Sequence, residues 1–160
     1  MSLSLRSDAF LHKNPIPSRF TCEGKNINPP LTITGVPDNT KSLVLLMDDP
    51  DIPATVKTRM GIDTFDHWVL YNLPADTSVI EEGCEMGEVG LNSQGEVGYI
   101  GPCPPTEYQP TTHRYQFRLY ALDRSLSFAT TPTLAEVETT AQSHALARTE
   151  LTGTFSRVKE

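Results

Sequence analysis

The sequence predicts a mainly β fold. Strand-like segments outnumber helical ones and do not alternate with them, which argues against a doubly wound parallel sheet. The thirteen prolines among 160 residues lie in short turn-like clusters, not in one tract. Their share is above the typical ~5%, as expected of strands joined by rigid loops.

Leu31-Thr32-Ile33-Thr34 alternates apolar and polar residues and stops at Gly35. Ser42 to Met47 is apolar on both faces, the pattern of a central strand covered on two sides. It runs into Asp48-Asp49-Pro50-Asp51-Ile52-Pro53. Residues 67–73 read as a further strand, closed by Pro74. His113 to Leu122 alternates over its whole length, with His113, Tyr115, Phe117, Leu119 and Ala121 on one face. Thr152 to Val158 reads as the last strand. One helix is legible. Thr133 and Glu136 form a capping-box pattern behind Pro132, and Leu134, Val137, Ala141, Ala145 and Arg148 follow helical spacing. His144 in that helix reads as a surface residue.

The length suits one domain spanning residues 1–160. Apolar residues make up 38% and charged residues 21%, an ordinary globular balance. The net charge of −7 and the lack of any Lys/Arg-rich stretch speak against nucleic acid as a partner. Residues 1–10 contain Arg6 and Asp8 and lack a signal-peptide core. The apolar run Leu43–Met47 is far shorter than the ~20 residues of a membrane span. A cytoplasmic location is the expectation. Cys22, Cys84 and Cys103 fit it as three reduced thiols. The other reading is a redox-sensitive pair beside a ligand site, with the partners open.

The polar residues at strand ends are the candidates for chemistry. Three aspartates within residues 48–51 repel one another unless cations or donors separate them. This corner reads either as a site wall or as a solvated turn. His67 enters an apolar strand just before the only tryptophan, as a ligand-facing residue or as a core histidine bonded to a carbonyl. Gly98 to Pro105 carries two glycines and three prolines, which suit a close backbone approach or an anion cradle, or a purely structural loop. His113 and Tyr115 share a core face, where polar groups need partners. Arg114 points the other way, as a surface or packing residue. A carboxylate beside a histidine favours imidazolium. Two histidines, a tyrosine hydroxyl and loop N–H groups would then offer donors to a phosphate or carboxylate, with Asp49 orienting a histidine.

Residues 16–37, 49–53 (DPDIP), 67–74 (HWVLYNLP), 98–105 (GYIGPCPP) and 113–123 (HRYQFRLYALD) together resemble the phosphatidylethanolamine-binding proteins, also called Raf kinase inhibitor-like proteins, in their bacterial and archaeal branch. The resemblance implies a large central antiparallel sheet packed against a smaller sheet, with one or two short peripheral helices. It implies a pocket for phosphate-like anions or phospholipid head groups. Asp49, Asp51, Pro53, His67, His113 and Tyr115 would line it, Gly101 and Cys103 would contribute backbone, and Pro104 or Pro105 a wall. The implied protein is a non-enzymatic binding module without a cofactor. It would take a small anion or phosphorylated ligand, modulate a partner such as a kinase or peptidase, and tolerate a homodimer. Ile52 replaces a common alanine, residues 106–112 lack the usual glycines, and the C-terminal helix of eukaryotic members is not expected.

Two enzymatic readings compete. A metalloenzyme could use His67, His113 and Asp49, although no His-x-x-x-His or Glu-x-x-His spacing supports it. A cysteine-based hydrolase could use Cys103, although prolines flank it and no helix start activates it. No Gly-x-Ser-x-Gly elbow is present.

Overall fold

A computed structural model describes residues 1–157. In chain order its elements are β1 (Ser4–Arg6), a 3-10 turn (Ser18–Phe20), β2 (Leu31–Thr34), β3 (Ser42–Asp49) and α1 (Ala54–Met60). They continue with β4 (Phe65–Pro74), β5 (Val79–Ile80), β6 (Glu88–Val89), β7 (His113–Leu122), α2 (Leu134–His144) and β8 (Ala145–Phe155). A five-stranded sheet has the order β6-β4-β3-β7-β8, and a three-stranded sheet the order β1-β2-β5. Every strand pair is antiparallel. The fold is mainly β, with a large and a smaller sheet as expected.

β3 lies at the centre of the large sheet, and all its residues are buried. Leu43, Leu45 and Met47 pack in the layer that also holds Leu5, Leu31, Ile33 and Ile80 of the small sheet. Val44 and Leu46 pack on the other face with Leu134, Val137 and Ala141 of α2. A strand covered on both faces has no solvent side, so its sequence does not alternate. β7 alternates as read, with Tyr115, Phe117, Leu119 and Ala121 in the layer between the sheets.

The two-faced pattern continues into the acidic end of β3. Asp48 falls on the α2 side, where Arg118 of β7 donates from Nη1 and Nη2 to its two oxygens at 3.0 and 2.9 Å. Arg118 Nε donates to Glu138 of α2 at 2.8 Å, and the Tyr120 hydroxyl donates to the same oxygen at 2.9 Å. Burial holds the Asp48 carboxyl above its ordinary value despite Arg118.

The capping box is formed. Glu136 N donates to Thr133 Oγ1 at 3.3 Å, and Thr133 N to Glu136 Oε1 at 3.0 Å. The helical spacing read through Ala145 and Arg148 overruns the helix, which ends at His144. Ala145 and Arg148 belong to β8, paired with Leu122 and Tyr120. The β7 ladder satisfies these backbone groups and overrides a weak local pattern. His144 is half-buried, 3.6 Å from Asp123. β8 therefore starts before the expected Thr152, and Val158 lies outside the described residues. α1 had no signal in sequence: its N-cap Pro53 makes no side-chain cap and it buries no residue. Gly61 ends it at φ 68°.

Arg118→Ala is expected to lower the unfolding free energy by about 3–5 kcal/mol, because it leaves the Asp48 charge buried without a partner. Urea denaturation of the variant against wild type measures this, and a loss below about 1 kcal/mol would contradict it.

Candidate functional site

The ends of β3, β4 and β7 converge on a cavity of about 210 Å³. Asp49, His67, His113 and Tyr115 line it, with Pro53, Val56 and Met60 at the α1 side and Gly101, Cys103, Pro104 and Pro105 opposite. Ile52, Phe65, Gln94 and Ile100 complete the wall.

Asp49 follows Leu43, Leu45 and Met47 on the inter-sheet face and stands at the cavity's edge. Its Oδ1 accepts from the Asp51 amide at 2.7 Å. Its Oδ2 accepts from His113 Nδ1 at 2.6 Å. The other His113 nitrogen, Nε2, lies 2.9 Å from the Pro110 carbonyl. Both partners of His113 are acceptors, so both ring nitrogens act as donors and the ring is an imidazolium. Burial opposes that charge, but the hydrogen bond and charge of Asp49, helped by the Pro110 carbonyl and Asp51, outweigh it and raise the pKa. The expected orienting role of Asp49 is in place. The expected donation from His113 to a ligand is not, because both N–H groups are already engaged.

His67 reaches the cavity through a β-bulge. Met47 pairs with Trp68, and the next β3 residue, Asp48, pairs with Asp66, so His67 is the extra residue on β4. Bulges of this kind re-aim side chains next to sites. His67 Nδ1 is 2.6 Å from the Ile100 carbonyl. Its ring packs edge-on against Tyr115, with centroids 5.2 Å apart. Burial is the main cause that drives its pKa down to about 4, and the His113 charge adds to it. His67 is thus neutral near pH 7, and the sequence expectation of two imidazolium donors is corrected to one, already engaged.

The Tyr115 hydroxyl is buried and, among the described residues, has no hydrogen-bond partner. Burial first, and the Asp49 charge second, push its pKa up, so it remains a phenol. It is the one fully buried polar group that lines the cavity unpaired.

The 98–105 loop gives shape more than donors. Ile100 N donates to the His67 carbonyl at 3.0 Å, and Gly101 N to Asn26 Oδ1 at 2.8 Å. Proline at 102, 104 and 105 has no N–H. Among the loop residues that line the cavity, the expected cradle of free amides is thereby reduced to Cys103. A Cβ on Gly101 would sit 2.3 Å from the Phe20 carbonyl and from Asn26 Oδ1, so only glycine fits there. Asp51 does not line the cavity. Its carboxylate receives Arg114 Nε and Nη2 at 2.8 Å each and the Arg114 amide at 2.9 Å. Arg114 is at the surface as read, and its role is this pair.

Cys22 and Cys103 form a disulfide across 81 residues of sequence, and Cys84 is free and exposed. The reading of three separate reduced thiols gives way to that of one pair beside the site. The tether adds to Cys22 N donating to the Pro102 carbonyl at 3.1 Å and Tyr99 Oη donating to the Phe20 carbonyl at 2.7 Å. It also removes the thiol argument for a cytoplasmic location. A bonded Cys103 offers no thiolate for the hydrolase reading. Among the described residues no three His, Cys, Asp or Glu side chains gather as a metal site requires, and His113 has no lone pair to give.

Against known families, residues 6–156 match the model of the phosphatidylethanolamine-binding proteins. The chain belongs to the phosphatidylethanolamine-binding protein family. A UPF0098 protein of Methanothermobacter thermautotrophicus is 40% identical over 162 residues, covering 97% of this chain and 99% of that one. One from Chlamydia trachomatis is 40% identical over 156 residues, covering 97% and 99%. Among solved structures, a putative phosphatidylethanolamine-binding protein homologue from Chlamydia trachomatis superposes with a TM-score of 0.89 at 39% identity, covering 98% of this chain and 99% of that one. Escherichia coli YbcL, described as a member of the mammalian family, does so at 0.84 and 25% identity, covering 99% and 100%. Sequence reasoning missed the α1 wall of this family member's cavity, Val56 and Met60, and Phe65 and Gln94. Ile52 and Ile100 stood inside the 49–53 and 98–105 motifs.

The two cavity histidines are expected to titrate on opposite sides of the ordinary value of about 6.5. His67 stays neutral down to about pH 4, and His113 keeps its proton above 6.5. The sign for stability follows from linkage. The raised His113 contributes stability that is complete below the unfolded pKa of about 6.5 and is lost as pH rises through its folded value. The depressed His67 costs stability as pH falls from about 6.5 to 4. NMR titration of the ring resonances in wild type and Asp49→Asn checks both: the variant should lower the His113 midpoint and leave His67 low. Two midpoints near 6.5 in wild type would refute the assignment.

Proposed function

We propose that residues 1–160 act as one domain that binds a small anion without turnover, the anion being a phosphate-like group, free or on a phospholipid head. The observation that carries this reading is the Tyr115 hydroxyl, fully buried, unpartnered and lining the cavity. A buried polar group without a partner costs about 1–3 kcal/mol, and a ligand oxygen would supply what the protein does not. The Asp49–His113 pair and the capped Asp51 leave the cavity without surplus negative charge, which an acidic chain needs in order to hold an anion at all. Family membership supports a binding protein. A second part of the proposal concerns a partner enzyme such as a kinase or peptidase. It would meet the rim formed by α1 and the 98–105 loop, where Met60 is 42% exposed. The proposal keeps the protein in the cytoplasm, where phosphorylated ligands are abundant, with the disulfide formed there or on exposure to oxidant.

Tyr115→Phe separates function from structure. The variant is expected to bind phosphate, acetate or phosphoethanolamine at least about tenfold more weakly near pH 6, because one hydrogen bond to the ligand is lost. Its unfolding free energy should be unchanged or higher, because an unpaired hydroxyl is removed. NMR titration and urea denaturation measure the two. Unchanged affinity would count against Tyr115 as a ligand contact.

A further inference from the structure

Cys22 and Cys103 are joined, yet both residues are exposed, and Cys103 lines the cavity. A disulfide within reach of solvent is open to attack by thiols in the folded protein, unlike one sealed in a core. The consequence of opening it follows from how the chain is held on either side of Cys103.

Ahead of Cys103 the loop is secured without the disulfide. Ile100 N donates to the His67 carbonyl, Gly101 N to Asn26 Oδ1, the Tyr99 hydroxyl to the Phe20 carbonyl and Cys22 N to the Pro102 carbonyl. Beyond that point the support stops. Among the described residues, no backbone group of residues 103–112 shares a hydrogen bond with another backbone group. The Pro110 carbonyl meets only the His113 ring, 2.9 Å from Nε2. Residues 107–112 are exposed. The outer wall of the cavity, Pro104 and Pro105, is therefore held between two fixed points, the Cys22–Cys103 bond and the Pro110–His113 contact.

Resting on the anion-pocket reading, we propose that the Cys22–Cys103 bond is a redox switch on this wall. Oxidised, it keeps residues 103–112 in the binding shape, and a dithiol reductant opens it and releases them. The step is a thiol–disulfide exchange. A thiolate of the reductant attacks one protein sulfur and expels the other, which leaves a mixed disulfide. The second thiol of the reductant then closes its own disulfide and frees the attacked sulfur. Two electrons and two protons pass from the dithiol to Cys22 and Cys103. Cys84, free and exposed, takes no part. A released wall must be ordered again when a ligand arrives, and that entropy cost lowers affinity. The reduced protein is thus the weaker binder. Linkage makes the coupling reciprocal, so a bound anion disfavours reduction by the same factor.

Maleimide labelling of the folded protein should count one thiol, Cys84, before treatment with dithiothreitol and three after it. Backbone 15N relaxation of residues 106–109 should pass from rigid to flexible on the ps–ns scale. Inorganic phosphate at about pH 6, followed by NMR, should bind about tenfold more weakly to the reduced protein. Saturating phosphate should raise the ratio of reduced to oxidised dithiothreitol needed for half-reduction by the same factor, about tenfold. Cys84→Ser should keep the whole response. Cys22→Ser should bind phosphate like the reduced protein, with or without dithiothreitol. The wild-type comparison stands alone if that variant does not fold. One labelled thiol after dithiothreitol, a reduced chain that unfolds, or phosphate held as tightly or more tightly by the reduced protein overturns the proposal and leaves the pocket reading intact. Phosphate binding to neither form overturns both.

Discussion

A strand buried on both faces that ends in three aspartates is an electrostatic liability, and the arrangement of β7 answers it. Three cations from that one neighbouring strand meet the three carboxylates: Arg118 on Asp48, His113 on Asp49 and Arg114 on Asp51. They lie on different sides of the sheet end. Asp48 faces α2, Asp49 faces the layer between the sheets, and Asp51 lies past the turn toward solvent. Antiparallel register sets this match, since Asp48 pairs with Gln116 and the cations lie on either side of that position. The pairs differ in worth. Asp51–Arg114 is largely exposed at the arginine and adds little by itself. Asp48–Arg118 and Asp49–His113 are buried, and removing one partner from either would strand a charge. These two pairs fix the end of β3 against β7, and the cavity opens beside that fixed end.

The cavity inherits its chemistry from this neutralisation. Asp49 spends one oxygen on His113 and the other on the Asp51 amide, and His113 spends its second nitrogen on Pro110. What might pass for a reactive histidine-carboxylate couple is a closed circuit. The groups left for a ligand are those that the circuit does not use, among them His67 Nε2 and the Tyr115 hydroxyl. Tyr115 sits two residues along the same strand face as His113, so the residue that closes the circuit and the residue that stays open are placed by one alternation.

That alternation explains how much could be read in advance. The span of β7 and the shared face of His113 and Tyr115 follow from a period of two. The buried character of β3 follows from an apolar run too short for a helix across a core. The position of His67 was legible as well, but its direction was not, because it depends on a bulge set by pairing between Met47–Asp48 and Asp66–Trp68. Its charge state was not legible either. Burial, the dominant influence on its pKa, is a property of the packed whole. The Cys22–Cys103 pair joins residues 81 apart in sequence, and spacing carries no signal for such a contact. α1 is short, uncapped by a side chain and buries nothing, so no periodicity could reveal it. The overrun of α2 has the opposite cause. Ala145 and Arg148 kept helical spacing, and only the β7 ladder decided against it.

The loop opposite the strand ends completes the constraint from the other side. Its prolines lack donors, its glycine at 101 is obliged by the Phe20 carbonyl and Asn26, and the disulfide, the Cys22 amide and the Tyr99 hydroxyl tie it to residues 20–26. A wall anchored this way has few conformations to lose when a ligand arrives, so less ordering cost is set against each new contact. The same anchoring forbids the loop from turning an amide inward to rescue a badly matched oxygen. Selectivity then falls on the open atoms of His67 and Tyr115, with the exposed Gln94 amide as the polar side chain of the wall that can still turn toward a ligand.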